Sequence, residues 1–110
     1  MEAIKTMHVG VERIRKAKAS TLRRNFDTLK FHNGETVEEF GVRITGITNQ
    51  LAVLGNSYDE EEVVRKFLQA LPPGYEQIAM SIETLLDLSM VSVEELIGRL
   101  KAAEERHGLA

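Results

Sequence analysis

Residues 34–44, G-E-T-V-E-E-F-G-V-R-I, contain the start of a helix and three side chains set at fixed offsets around it, Glu35, Phe40 and Arg43. Thr36 followed three residues later by Glu39 is a capping box, in which hydroxyl and carboxylate satisfy backbone N–H groups that lack intrahelical partners. A helix is therefore expected from Val37. Phe40, Ile44, Ile47, Leu51 and Leu54 recur at steps of three and four, which makes one apolar stripe with Arg43 on its edge. Glu35 sits just outside the helix, and an ion pair folding it back onto Arg43 would fix the incoming chain. Gly55 is a natural left-handed stop. Gly41 and Gly46 each cost about 1 kcal/mol relative to Ala inside a helix, so close approach of a neighbouring helix is the expected compensation.

On the N-terminal side, Val11 to about Phe31 reads as a long helix, with Val11, Ile14, Ala17, Leu22, Phe26 and Leu29 loosely on one side. Asn33-Gly34 ends it, and Gly10 separates it from a short helical turn within residues 1–9. On the C-terminal side, Ser57 with Glu60 makes a second capping box. Asp59, Glu60, Glu61 and Glu62 add negative charge where the macrodipole favours it, so a third helix should begin near Glu60. Pro72-Pro73 forbids its continuation past Leu71. Tyr75 to about Leu86 carries Ile78, Ile82 and Leu85 at helical spacing, and Ser92 with Glu95 opens a fifth helix that closes at His107-Gly108. No strand pattern competes. Short connections argue for an all-α, compact bundle of about five helices in a single domain, with a basic helical segment at 1–33 and a four-helix core at 34–108.

Length and composition suit one small domain: 110 residues, 43% hydrophobic and 28% charged. With no cysteine, neither a disulfide framework nor a Cys-ligated zinc site exists in this sequence. Neither a long apolar run nor a signal-peptide pattern appears, so a soluble, cytoplasmic protein with no membrane partner is expected. Charge is polarised. Residues 1–32 hold eight Lys/Arg against three Asp/Glu, and the remainder six against fourteen, a balance of +5 and then −8 that sums to −3. Such a chain can attract copies of itself head to tail, or offer its basic end to RNA phosphates; the plainer reading is of solvated helix faces.

Glu35, Phe40, Arg43 and Ile44 resemble the core of the major homology region of retroviral and retrotransposon capsid proteins, whose Gln and Gly would fall on Phe31 and His32 here. T-L-R-R-N-F-D-T-L-K, V-V-R-K-F-L-Q-A-L-P-P, S-I-E-T-L-L-D-L-S and V-E-E-L-I-G-R-L-K-A-A-E-E-R are similar to successive blocks of plant copia-type retrotransposon Gag, so the likeness covers nearly the whole chain. The resemblance implies a structural, capsid-like Gag segment that self-associates into virus-like particles around the element's RNA. It further implies a capsid C-terminal-lobe arrangement of helices two to five preceded by a long helix, and a Cys/His zinc knuckle farther along the polyprotein than this segment reaches.

Catalysis finds little support, because no nucleophile or acid/base pair converges with an orienting group. No cofactor or small-molecule substrate is expected. His8, His32 and His107 lie near the expected helix ends, where a histidine is a favourable dipole partner. For self-association the third helix is the candidate. Val63, Val64, Phe67, Leu68 and Leu71 span an apolar sector of about 140°, so Val64, Leu68 and Leu71 could pack inside while Val63 and Phe67 meet a second copy; alternatively all five are core. An RNA-binding module would instead use Arg13, Arg15, Lys16, Lys18, Arg23 and Arg24, without a base-stacking aromatic cluster beside them. A third possibility is a Gag segment retained by a host genome for pairing with another protein.

Overall fold

Capping boxes and apolar stripes produce helices at each of the expected places. The computed structural model describes residues 2–108, with side chains from Val9 onward. Helix α1 runs over Glu2–Asp27, α2 over Val37–Val53, α3 over Glu60–Ala70, α4 over Glu76–Leu85 and α5 over Val93–His107, with one turn of 3-10 helix at Leu88–Met90. Among the described residues there is no strand.

The aromatic core sits where α2 and α3 meet. Phe40 and Phe67 are fully buried and contact edge to face, with ring centroids 4.9 Å apart. Val37, Ile44, Val64, Leu68, Ile82, Leu96 and Leu100 extend the same cluster through α4 and α5. Alpha-helix α5 lies against α2 close enough that a Cβ on Gly41 would stand 2.7 Å from Ile97 Cδ1. The expected compensation thus holds at Gly41. It does not hold at Gly46, where nothing lies within 4 Å of a Cβ; Gln50 and Val53, one and two turns farther on, line the open groove between α1 and α2.

Several boundaries differ from the sequence-based expectation, each for a physical reason. Gly10 does not interrupt α1, since one glycine costs only about 1 kcal/mol in a long ladder of hydrogen bonds. The same helix stops at Asp27 rather than Phe31. Leaving the helix early turns Leu29 and Phe31 inward, and Phe31 stacks on Phe40 with centroids 4.0 Å apart. Lys66 of α3 donates to the Asp27 carbonyl at 2.7 Å and so satisfies one of the acceptors freed at that end. For α3 the cap is Asp59, whose N–H is met by the Glu62 carboxylate at 3.3 Å, not the expected Ser57–Glu60 box. Glu60 reaches instead to the first N–H of α5, at Val93, 2.9 Å away. Leu85, expected on the stripe of α4 with Ile82, is exposed, since the chain leaves α4 there for the 3-10 turn that buries Leu88.

The N-terminal part of α1 stands apart from this core. From Val9 to Lys18 no side chain is buried, and the first buried residue among those described is Ala19. A 26-residue helix is about 39 Å long at 1.5 Å per residue, and the molecule correspondingly measures 63 × 29 × 17 Å. No described helix is long and apolar enough to cross a membrane.

Candidate assembly and nucleic-acid surfaces

The segment entering α2 is clamped by the residues singled out in its sequence. Arg43 Nε donates to Glu35 Oε2 at 2.8 Å and a terminal nitrogen donates to Oε1 at 3.2 Å, a two-point pairing of guanidinium with carboxylate. The same guanidinium donates to the Lys30 carbonyl and lies 5.4 Å from the Phe40 ring centre. Glu35 also accepts from the His32 N–H at 2.9 Å. Next to this clamp the Thr36–Glu39 box is complete: Glu39 N–H donates to Thr36 Oγ1 at 3.1 Å and Thr36 N–H to Glu39 Oε1 at 3.0 Å. That hydrogen bonding holds the Glu39 carboxyl below its ordinary range. The two motif residues Phe40 and Ile44 point into the core with no exposed surface. Phe31, at the position where the resembled motif has Gln, serves by stacking rather than by hydrogen bonding.

A second polar group holds the opposite side of the same helix start. Glu104 of α5 is only 4% exposed, and its Oε2 accepts from the Tyr75 hydroxyl at 2.6 Å and from the Val37 N–H at 3.4 Å. Burial first, then the bond to Glu104 and its negative charge, push the Tyr75 hydroxyl well above the ordinary tyrosine range. The carboxylate faces the positive end of the α2 dipole, and so joins α5, the start of α4 and the start of α2. The sequence carries a signal for it: Leu96, Leu100 and Glu104 are spaced by four, which puts a carboxylate in the register of an apolar stripe.

The expectation that Val63 and Phe67 are partly available to a second copy fails. Val63 is 5% exposed and Phe67 is fully buried. The wide apolar sector of α3 is covered from both edges, by α2 with Phe31 on one side and by α5 with the 3-10 turn on the other. All of Val63, Val64, Phe67 and Leu68 belong to the core, and Leu71 packs partly buried against it.

The six candidate RNA-contacting cations all lie on the exposed surface of α1. Arg13, Lys16, Arg23 and Arg24 share an arc of about 100° on a helix of 3.6 residues per turn, whereas Arg15 and Lys18 lie on the far side. Arg23 donates to the Asn56 side chain and so ties α1 to the turn after α2. Arg15 stands 4.0 Å from Glu12. Lys18 lines a shallow groove of about 520 Å³ between α1 and the end of α2, with Thr21, Leu22, Gln50, Val53 and Leu54. No aromatic side chain lies in that groove.

Large apolar side chains are exposed away from the core: Val11 and Ile14 on α1, Val42 and Val53 on α2, Met80 and Leu85 on α4, and Met90. Among the described residues the histidines form no site. His32 follows α1 in the loop and His107 is in the final turn of α5, where it complements the dipole; the side chain of His8 lies outside the described residues. Among the described residues no cluster of metal-ligating side chains occurs.

Residues 2–109 match the family model described as gag-polypeptide of LTR copia-type. Neither a curated protein nor a solved structure matches the chain.

Proposed function

Because this chain belongs to the copia-type LTR gag-polypeptide family, we propose that it is a structural, capsid-like domain that associates with copies of itself in the cytoplasm to build particles around element RNA. The observation that carries this reading is the family match over residues 2–109; beside it, large aliphatic and thioether side chains stand in solvent on three different helices, Ile14, Val53 and Met80 among them. Apolar groups scattered singly over a surface are ordinary, so the weight of the reading lies on the family match, and these groups are the places where neighbouring copies would sit. Val63 and Phe67, being inside, take no direct part.

A second reading, RNA binding by α1, is favoured by the arc of Arg13, Lys16, Arg23 and Arg24, and the two roles are compatible in one Gag segment. Such contacts would address phosphates without reading sequence. Electron microscopy of the purified chain with and without RNA tests the assembly reading: closed or regular particles are expected, and dispersed monomers under both conditions would overturn it. Titration of RNA at two salt concentrations tests the other. A steep salt slope that is lost when Arg23 and Arg24 become Glu supports phosphate binding, and binding indifferent to both overturns it.

A further inference from the structure

We propose that the free part of α1 docks on the outward face of α4 of a second copy, joining subunits head to tail. This inference rests on the self-association proposed above and specifies its surfaces. On α1, Val11, Ile14, Arg15 and Lys18 share an arc of about 100°, and all four are exposed, Ile14 to 59%. This arc continues into the groove lined by Leu22 and Val53. Between Val9 and Lys18 none of the side chains is buried by the bundle, so this arc is open to a second copy.

Charge selects the partner surface. Residues 9–27 carry Arg13, Arg15, Lys16, Lys18, Arg23 and Arg24 against Glu12 and Asp27, a balance of six minus two, or +4. Pairing two copies of α1 would set +4 against +4, and like charges in contact oppose association. By contrast, α4 itself carries Glu76 and Glu83 and no Lys or Arg, a balance of −2, while Arg99 and Arg106 of α5 line the groove on its other side, with Gln77 and Ser81. Glu76, Met80 and Glu83 follow one another at steps of four and three along the exposed side of α4. Met80 is 67% exposed between the two carboxylates. The two arcs are complementary: Val11 and Ile14 cover Met80 while Arg15 and Lys18 face Glu76 and Glu83.

The interface is heterologous, because α1 and α4 are different surfaces of the same subunit, so repetition gives an open chain or a closed ring rather than a terminal dimer. Each contact is weak, since exposed ion pairs are screened within about 8 Å at physiological salt, and a growing array supplies the rest through multivalency.

A charge exchange tests this. Arg15→Glu with Lys18→Glu makes both docking surfaces acidic, and Glu76→Lys with Glu83→Lys makes both basic. Each double variant alone should associate at least about tenfold more weakly than wild type by sedimentation, with its helicity unchanged. An equimolar mixture of the two should regain wild-type association, because an acidic α1 then meets a basic α4. Should the Glu76 change unfold α4 by opposing its dipole, Glu83→Lys alone, near the end of that helix, serves in its place. Wild-type association that persists in both double variants, or a mixture that stays monomeric, would overturn the docking while leaving self-association standing. Loss of RNA binding with association intact in Arg15→Glu/Lys18→Glu would assign the arc to nucleic acid and likewise overturn it. A wild-type chain that never associates would remove both proposals together.

Discussion

The hydroxyl of Tyr75 and the carboxylate of Glu104 meet at 2.6 Å inside the bundle, and the Val37 N–H completes the group. Removing one partner strands the other in a buried site, which costs about 1–3 kcal/mol, whereas replacing both by apolar groups is nearly neutral. Tyr75→Phe and Glu104→Leu should therefore each destabilise by about 2 kcal/mol, and the double variant by clearly less than their sum. A urea-unfolding double-mutant cycle measures this, and additive losses would show that the two groups act independently. Below the ordinary tyrosine range the hydroxyl is protonated in both folded and unfolded chains. Its raised folded-state value means that this stabilisation is fully present below the ordinary tyrosine value of 10.0 and is lost as pH rises from there through the higher folded-state value.

Arg43 holds Glu35 and the Lys30 carbonyl at once, and the Glu35 side chain is only 7% exposed while that of Arg43 is 30%. The pair is thus intermediate between surface and interior. Arg43→Ala should destabilise by about 2–3 kcal/mol, between the limits for exposed and buried ion pairs. Arg43→Lys should recover part of that loss but not all, because an ammonium lacks the two-point geometry. A loss under about 1 kcal/mol in chemical unfolding would place the clamp with ordinary surface pairs.

The two glycines of α2 should respond in opposite ways. Gly46 has open space where a Cβ would stand, so Gly46→Ala should raise the melting temperature through a gain of about 0.5–1 kcal/mol in helix propensity. At Gly41 a Cβ meets the tip of Ile97, which must move. Gly41→Val should destabilise by about 1–3 kcal/mol through overpacking. Equal shifts at the two positions, read by thermal unfolding, would contradict the close approach of α5.

Phe67→Asp or Val63→Asp places an unpaired carboxylate in the core. Helicity at room temperature should be lost, with a destabilisation of more than about 4 kcal/mol for Phe67. A variant that keeps its circular-dichroism spectrum and loses only association would return these residues to an interface.

These helices were legible because their signals are local. Thr36 with Glu39 and the stripe from Phe40 to Leu51 involve neighbours within one or two turns, and the start of α2 follows from them. The start of α5 was legible for the same reason. Where two local signals overlap, as at Ser57–Glu60 and Asp59–Glu62, spacing alone does not rank them; the position of α5, which draws Glu60 to Val93, does. The early end of α1 depends on Phe31 finding Phe40, and the burial of Val63 and Phe67 depends on what covers both edges of α3. Neither is a property of the segment itself. Glu104 lay in plain register with Leu96 and Leu100, yet a carboxylate on a stripe reads as its edge until Tyr75 and the α2 N-terminus are brought to it.

Acid should weaken the start of α2. The Glu39 carboxyl is held below its ordinary value of 4.5 by its bond to the Thr36 N–H. Its contribution is present above that value and is lost as pH falls through the lower folded-state value. The stability difference between wild type and Glu39→Gln should therefore be present at pH 7 and narrow steadily toward pH 3, read from urea midpoints. A difference that stays constant over that range would exclude the carboxylate form as the capping species.

Light scattering at rising protein concentration, from about 10 μM to about 1 mM so as to cover weak association constants, addresses the assembly role most directly. The account predicts a weight-average mass that climbs above the 12.4 kDa of one chain and falls back as salt is raised. A mass that stays at 12.4 kDa across the whole range, at low salt and with RNA present, would contradict it.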